Sequence, residues 1–246
     1  MKHHRHRRHL ALAAAVTAGA LLITACAPWR LWTSVELARE ATPFNAHPSN
    51  PTRKILVVGD STAVGTGASA PEESLPGLIS KQQPKWQIDN LAANGAKFVD
   101  VIEQLERAST GYDLVLVVGG GNDVIRFTSE KDLRSQIEQT VALARSKGQH
   151  VVVMPCGNVG HAPFFKPPVS WVMSRRSEAL HAIVQEITTA QHVRYVSLLK
   201  PKSQDPFVMH SKTLNAEDGL HPSSAGYVEW YRELVAQRGL ESLESP

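Results

Sequence analysis

The chain has 246 residues, of which 42% are hydrophobic and 20% are charged, a composition that suits one globular domain with a terminal extension. Its formal net charge of +3 arises at the N-terminus, where residues 1–25 contain four Lys and Arg and no acid, so that residues 26–246 carry 22 Lys and Arg against 23 Asp and Glu. This near-neutral body offers no basic surface for DNA or RNA, and we therefore expect no nucleic-acid partner.

The first 25 residues have the layout of a secretory signal peptide. A basic region, residues 1–9, precedes an apolar run over residues 10–25. The sequence Ile-Thr-Ala-Cys ending at Cys26 resembles the lipobox of bacterial lipoproteins, which implies cleavage before Cys26 and lipidation of that residue. We therefore expect an exported, membrane-anchored lipoprotein that faces the periplasm or the cell exterior. An uncleaved anchor over residues 10–32 is the alternative, because this stretch contains a single charge.

Residues 26–52 are predicted to form a membrane tether and linker. The apolar residues of this segment are typical of a short interfacial helix that places tryptophans near lipid headgroups. These residues are Trp29, Leu31, Trp32, Val35 and Leu37. The following residues 42–52 contain three prolines and two asparagines, which predicts an extended linker. We expect the folded domain over residues 53–240 and a short tail over residues 241–246.

Within the predicted domain, strand and helix patterns alternate regularly. The predicted strands are 54–59, 86–91, 113–118, 149–155 and 193–198, and the predicted helices are 72–82, 97–109, 129–147, 170–190 and 223–238. The third and fourth strands are continuous apolar runs, as expected for strands covered on both faces. This alternation predicts right-handed crossovers and a five-stranded parallel sheet between two helical layers, a three-layer α/β fold.

A serine follows the first predicted strand directly. The apolar run 55–58 ends in Gly59-Asp60-Ser61, which predicts a turn that leaves the Ser61 hydroxyl at the carboxyl edge of the sheet. Ligands bind at this edge in open α/β sheets, and amides of a following helical turn can stabilise an oxyanion. Because Gly, Asp and Ser are common turn residues, the tripeptide alone does not establish a function.

Three later segments add to this motif. They are Asn90-Leu91-Ala92-Ala93-Asn94-Gly95, the apolar strand 114–118 that runs into Gly119-Gly120-Gly121-Asn122-Asp123, and Asp218-Gly219-Leu220-His221-Pro222 near the C-terminus. In this order, the blocks around Ser61, Gly95, Asn122 and His221 resemble those of the SGNH (GDSL-type) hydrolases over about 170 residues.

The resemblance implies a flavodoxin-like strand order, 2-1-3-4-5, and a catalytic role for each block. Ser61 is then the nucleophile, and the Ser61 amide, the Gly95 amide and the Asn122 side chain form the oxyanion hole. A serine hydroxyl needs a base, and His221 is the candidate. Asp218, three residues earlier, can reach His221 Nδ1 and leave Nε2 free for Ser61. The neighbouring carboxyls of Asp60 and Asp123 are interpreted as turn hydrogen bonders rather than catalytic acids.

The resemblance implies a serine esterase that forms an acyl-enzyme. Its substrate is expected to be a small-molecule or lipid ester, cleaved by an esterase, lipase or lysophospholipase type of enzyme. A carbohydrate O-acetylesterase is an alternative, and a non-catalytic binding protein on the same fold is a second alternative of another class. We expect no cofactor, no metal site and a monomer, and an unpaired, inert thiol at Cys156.

The loop 157–171 after the fourth predicted strand lies at the catalytic end of the sheet. It contains Phe164, Phe165 and Trp171, which we interpret as walls of an acyl pocket, although a loop packed on the core of its own domain is an equal alternative. The aromatic loop and the membrane location favour a lipid-type esterase.

Overall fold

The computed structural model describes residues 29–244, and a parallel sheet of five strands forms its centre. The strands are β1 (Arg53–Gly59), β2 (Trp86–Asn90), β3 (Tyr112–Gly119), β4 (Gly148–Pro155) and β5 (Arg194–Tyr195). Their order in the sheet is β2-β1-β3-β4-β5, and each neighbouring pair is parallel. The predicted three-layer α/β fold and its flavodoxin-like strand order are therefore confirmed.

Helices cover both faces of the sheet. Residues 29–40 lie in α1, and the others are α2 (Ser61–Val64), α3 (Leu75–Gln82), α4 (Phe98–Arg107), α5 (Gly121–Ile125), α6 (Glu130–Lys147), α7 (Val169–Ala190), α8 (Pro206–Met209), α9 (Ser211–Leu214), α10 (Ser224–Ala236) and α11 (Glu241–Glu244). Apart from α1, the five longest helices are α3, α4, α6, α7 and α10, and they correspond to the five predicted helices.

The hydrophobic core lies where the sheet meets these helices. Residues 55–58 of β1 and 114–118 of β3 are almost completely buried because helices shield both faces of these central strands. The apolar stripes of α6 and α7 are also buried, with Ile137 and Val184 fully inaccessible to solvent. The core therefore fixes the carboxyl ends of β1 and β3 side by side.

The last strand is shorter than the sequence pattern predicts. A strand is expected over residues 193–198, but β5 contains only two residues. The chain leaves the sheet because a side chain replaces the backbone ladder: Ser197 N donates to Gln237 Oε1 (2.8 Å), and Gln237 Nε2 donates to Ser197 O (2.9 Å). Gln237, which caps the C-terminus of α10, thus takes up the hydrogen bonds that Ser197 would have made in a longer β5.

The segment predicted as a tether and linker contacts the domain within the residues that the structure describes. Arg30 in α1 donates a hydrogen bond to the carbonyl of Pro163, and Asn94 Nδ2 donates to Ala38 O (2.6 Å). Ala46 forms an antiparallel bridge with Ile88, which covers the outer edge of β2. Residues 29–52 therefore pack on the domain because their backbone and side chains find partners there.

The predicted tail and the predicted signal peptide differ in how much of each the structure describes. The expected tail over residues 241–246 begins with α11, where Leu243 is buried and its carbonyl accepts a hydrogen bond from Arg53 Nε (3.3 Å). The predicted signal peptide over residues 1–25 and Cys26 lie outside the described residues. Across residues 29–244, every helix is too short or too polar to cross a bilayer.

His181 gives the stability of this fold a pH dependence. Both of its ring nitrogens are engaged, with Tyr195 Oη (2.6 Å) and Cys156 O (2.7 Å), and burial lowers the pKa of His181 from 6.5 to about 4. Between these values the unfolded chain binds a proton that the folded protein excludes, so stability falls as the pH falls from 6.5 towards 4. We expect His181 to remove about 2 kcal/mol of the free energy of unfolding between pH 7 and pH 5.

Urea titrations at pH 7 and pH 5 test this expectation. The variant His181→Gln cannot titrate, so its free energy of unfolding should change less between the two pH values than that of wild type. His210→Gln, which removes an exposed histidine, serves as the control and should keep the wild-type difference. Equal pH dependence in wild type and His181→Gln would contradict the assignment.

Candidate active site

Ser61 lies on a sharp turn between β1 and α2. The turn requires glycine before it, because Gly59 has φ +149° and a Cβ there would lie 1.7 Å from Val118 O. Asp60 then caps α2: its Oδ1 accepts from Thr62 N (2.8 Å) and from Thr62 Oγ1 (2.6 Å). Ser61 is therefore the first residue of a helical turn, held at the carboxyl end of β1.

His221 and Asp218 form a line of short contacts that ends at Ser61. His221 Nε2 lies 2.9 Å from Ser61 Oγ, and His221 Nδ1 lies 2.6 Å from Asp218 Oδ2. The other carboxylate oxygen, Oδ1, accepts from the backbone amides of Leu220 (2.9 Å) and His221 (3.1 Å). The loop is closed by Ala216 N, which donates to His221 O (2.8 Å). Three sequence-predicted residues thus meet at hydrogen-bond distance.

The environment of Asp218 favours its ionised form. Burial raises the pKa of Asp218, but the hydrogen bonds from His221 and the nearby backbone amides lower it by more, so its pKa lies below the ordinary value. An ionised carboxylate accepts a proton from Nδ1 and selects the tautomer in which Nε2 is an acceptor. In that tautomer the Ser61 hydroxyl donates to His221.

Asn122 and Gly95 approach Ser61 from different strands. Asn122 lies in α5, directly after β3, and lines the same pocket as Ser61 and His221. Gly95 lies in the turn after β2 with φ +79°, and that turn is fixed beside β1 because Ala93 N donates to Gly59 O (3.1 Å). Gly95 itself is not among the residues that line the pocket.

The carboxyls next to these residues are buried and hydrogen-bonded. Asp123 Oδ2 accepts from Phe98 N (3.1 Å), and Asp123 Oδ1 accepts from Thr128 Oγ1 (2.9 Å). Burial raises the pKa of both Asp60 and Asp123 above the ordinary value. Their bonds to backbone and hydroxyl groups match the predicted role of turn residues that orient Ser61 and Asn122.

The aromatic residues predicted to wall an acyl pocket do not line the pocket that contains Ser61. The rings of Phe164 and Phe165 pack against each other, edge to face, with centroids 4.9 Å apart, and Phe165 also packs on the core. Trp171 projects from the surface with 65% of its area exposed. The prediction for these three residues is corrected, because Phe164 and Phe165 pack within the loop and on the core, and Trp171, at the start of α7, faces solvent.

Other residues line this pocket instead. The apolar ones are Ile125, Val159, Leu198, Phe207 and Trp230, and the polar ones include His161, Lys200, Asp205 and Glu233. Ile125 belongs to α5, and the others come from the segments after β4 and β5 and from α10. Of these, only Val159 and His161 lie in the loop singled out from the sequence. The segment 198–207 has no periodicity or motif that would have indicated it.

Cys156 lies buried at the end of β4. Burial raises the pKa of its thiol well above the ordinary value, and the nearby carboxyls of Asp60 and Asp123 raise it further. A protonated, buried thiol is a weak nucleophile. Among residues 29–244 there is also no group of three or more His, Cys, Asp or Glu arranged to hold a metal ion.

Comparison with known sequences places these motifs in a family. The model of the GDSL-like lipase/acylhydrolase family matches residues 57–228, which include the Ser61, Gly95, Asn122 and His221 blocks. An arylesterase from Vibrio mimicus is 26% identical over 206 residues, which represent 79% of this chain and 92% of the arylesterase.

Solved structures share the fold. A lipase/acylhydrolase from Enterococcus faecalis superposes with a TM-score of 0.62 at 21% identity, over 79% of this chain and 98% of that one. An acetylxylan esterase from Geobacillus stearothermophilus superposes with a TM-score of 0.58 at 20% identity, over 80% of this chain and 99% of that one. At these identities the likeness concerns the fold and not the substrate.

Proposed function

Because the chain belongs to the GDSL-like lipase/acylhydrolase family and is a carboxylic ester hydrolase, we propose that Ser61 is its nucleophile. The observation that carries this proposal is the continuous line of contacts from Asp218 through His221 to Ser61 Oγ, at 2.6 Å and 2.9 Å. A histidine held in this way can remove the serine proton as the hydroxyl attacks.

The proposed reaction has two halves. Ser61 Oγ attacks the ester carbonyl while His221 Nε2 accepts its proton, and the ionised Asp218 stabilises the imidazolium that forms. The tetrahedral intermediate collapses to an acyl-enzyme as His221 protonates the departing alcohol. In the second half, His221 removes a proton from water, the water attacks the acyl carbonyl, and Ser61 leaves with that proton as the acid is released.

The negative oxygen of each tetrahedral intermediate needs donors that are already in place. We propose that the Ser61 amide, the Gly95 amide and the Asn122 side chain supply them. Ser61 supports this assignment because its amide is at the first turn of α2, and Asn122 supports it because α5 follows the strand adjacent to β1. Preorganised donors of this kind act mainly on the transition state.

Replacement of Asn122 by alanine tests this assignment. We expect a loss of about 10²–10³ in kcat, or about 2.7–4 kcal/mol of transition-state stabilisation, with little change in KM. Steady-state kinetics on p-nitrophenyl acetate separates the two parameters. An effect on KM alone would remove Asn122 from the oxyanion hole.

A fluorophosphonate probe tests the nucleophile directly. The full-length chain in mild detergent should hydrolyse short p-nitrophenyl esters and should be labelled covalently, and mass spectrometry of its peptides should locate the label on Ser61. A non-catalytic binding protein would show neither turnover nor labelling. Labelling of another serine would reject Ser61 as the nucleophile while leaving the esterase class intact.

The residues that line the pocket help to choose between a lipid-type esterase and a carbohydrate O-acetylesterase. The case for a lipid-type esterase relied on the expected membrane location and on Phe164, Phe165 and Trp171, and these three residues do not line the pocket. A carbohydrate O-acetylesterase is the second candidate, and the observation that favours it is the set of polar side chains on the pocket wall, such as His161 and Lys200. The acyl chain that the enzyme prefers, from acetyl to octanoyl, distinguishes the two classes.

We also propose that the protein acts at a membrane through a lipid on Cys26. The lipobox-like sequence and the preceding apolar run support this location. Two or three acyl chains would hold the protein stably on a bilayer, since each buried methylene contributes about 0.8 kcal/mol. The mass of the mature N-terminus tests the proposal, because an intact Met1 would identify an uncleaved anchor.

A further inference from the structure

A second histidine and aspartate pair lies in the pocket that contains Ser61. His161 Nδ1 lies 2.6 Å from Asp205 Oδ2, and the two side chains are only 9% and 7% exposed. His161 ends the short helical turn Val159–His161 that follows β4, and Asp205 caps α8 after β5. The pair therefore joins two loops at the carboxyl edge of the sheet, on the same side as the proposed nucleophile.

The pair leaves one ring nitrogen available. Asp205 Oδ1 accepts from Phe207 N (2.9 Å), so the carboxylate is fixed from both sides. An Asp205 carboxylate selects the His161 tautomer with hydrogen on Nδ1, which makes Nε2 an acceptor. Within residues 29–244, Nε2 of His161 has no hydrogen-bond partner, yet it is not sealed from solvent.

His181 shows what a purely structural histidine looks like in this fold. Both of its nitrogens are occupied, by the Tyr195 hydroxyl and the Cys156 carbonyl, and its side chain does not line the pocket. His161 instead combines a fixed orientation with an unused acceptor at the pocket wall. An oriented acceptor of this kind, accessible from the pocket, can bind a hydroxyl group of a ligand.

The neighbouring side chains offer a mixture of surfaces. Lys200 Nζ lies 3.0 Å from Glu233 Oε1 on the pocket wall, and the rings of Phe207 and Trp230 lie 6.3 Å apart on the same wall. A sugar or another polyol presents both hydroxyls and C–H surface, so it can use the polar and the aromatic groups together. A hydrocarbon chain in the same place would leave His161 Nε2 without a partner.

We propose that His161, held by Asp205, accepts a hydrogen bond from a hydroxyl on the alcohol part of the substrate, and that the protein therefore prefers esters of sugars or other polyols. This inference rests on the proposed function, since Ser61 must be the nucleophile for its pocket to hold the ester. His161 acts in substrate recognition and takes no part in the proton transfers of His221.

Two acetate esters with alcohols of similar ring size test the proposal. A monoacetylated methyl glucoside carries hydroxyls, and cyclohexyl acetate does not. For the full-length chain in detergent, His161→Phe should lower kcat/KM for the glucoside ester about tenfold to a hundredfold. Hydrolysis of cyclohexyl acetate should change by less than about threefold. Asp205→Asn keeps an acceptor for Phe207 N and should cause a smaller loss, again on the glucoside ester alone.

Controls separate recognition from stability and from the proposed function. His210→Phe removes an exposed histidine outside this pocket and should leave both substrates unaffected. The thermal midpoints of His161→Phe and Asp205→Asn should match that of wild type. If kcat/KM then fell equally for both substrates in these variants, or fell for neither substrate, the inference would be overturned.

A binding measurement covers the remaining case. If wild type hydrolyses no ester and Ser61 is not labelled, the proposed function fails, but methyl glucoside binding can still be measured by calorimetry. Wild type should then bind the glucoside and His161→Phe should bind it at least about tenfold more weakly. Equal affinity of the two proteins, or no binding to wild type, would reject the role of His161.

Discussion

Replacement of Ser61 by alanine is expected to lower kcat on p-nitrophenyl acetate about 10⁶-fold, to the level left by binding and the oxyanion hole. The variant loses the atom that forms the acyl-enzyme, so His221 has no hydroxyl to activate. The fold should survive, because α2 is capped by Asp60 and, within residues 29–244, the Ser61 hydroxyl makes a hydrogen bond only with His221. Steady-state kinetics, covalent labelling and a thermal melt of the same preparation measure the three consequences.

Ser69→Ala provides the matched control for loss of a hydroxyl. Ser69 is exposed and its Oγ bonds to Glu73 and Ser224, away from His221. The control should retain wild-type turnover and labelling. If Ser61→Ala kept more than about one hundredth of the wild-type kcat, a different nucleophile would have to be sought.

Replacement of Asp218 by asparagine should lower kcat by about 10⁴-fold. An asparagine oxygen can still accept from the amides of Leu220 and His221, so the loop should keep its shape. Its amide nitrogen, however, would donate to His221 Nδ1 and select the tautomer with hydrogen on Nε2. That nitrogen could then no longer accept the proton of Ser61, which is why the loss should appear in kcat.

Glu217→Gln is the matched control, because it neutralises an exposed carboxylate one residue away. It should change kcat by less than about twofold, since an exposed charge contributes little. The pH dependence of kcat/KM should be measured for both variants. Wild-type kcat in Asp218→Asn would mean that His221 acts without a carboxylate partner.

Much of the fold was predictable because buried strands have a simple signature. The apolar runs 55–58 and 114–118 are buried on both faces when they lie between two helical layers. Each run is followed directly by glycine, which permits a turn. Parallel strands bring their carboxyl ends to one edge, so Ser61 and Asn122 were expected to meet. His221 joined them in the prediction only through the resemblance to a family, since no local pattern links residues 160 positions apart.

The substrate pocket was less predictable, because its residues depend on how separate loops pack. His161 and Asp205 are 44 residues apart and belong to no motif, yet they form one of the closest polar pairs of the site. Aromatic content identified Phe164 and Phe165, but composition does not distinguish a side chain that faces a ligand from one that packs on its neighbour. The shortening of β5 has a similar cause, since it depends on the distant side chain of Gln237.

The position of α1 would limit the reach of a domain anchored through Cys26. Its first described residue, Trp29, follows Cys26 by three residues, and Arg30 holds α1 against the loop of Pro163, beside Gly219. Three extended residues span at most about 11 Å. With the lipid on Cys26 that we propose, this short connection would hold the domain close to the bilayer. The exposed indoles of Trp29 and Trp32 would then be able to contact the membrane surface. Such an enzyme would hydrolyse esters located close to the membrane surface and would not reach esters dissolved farther from the membrane.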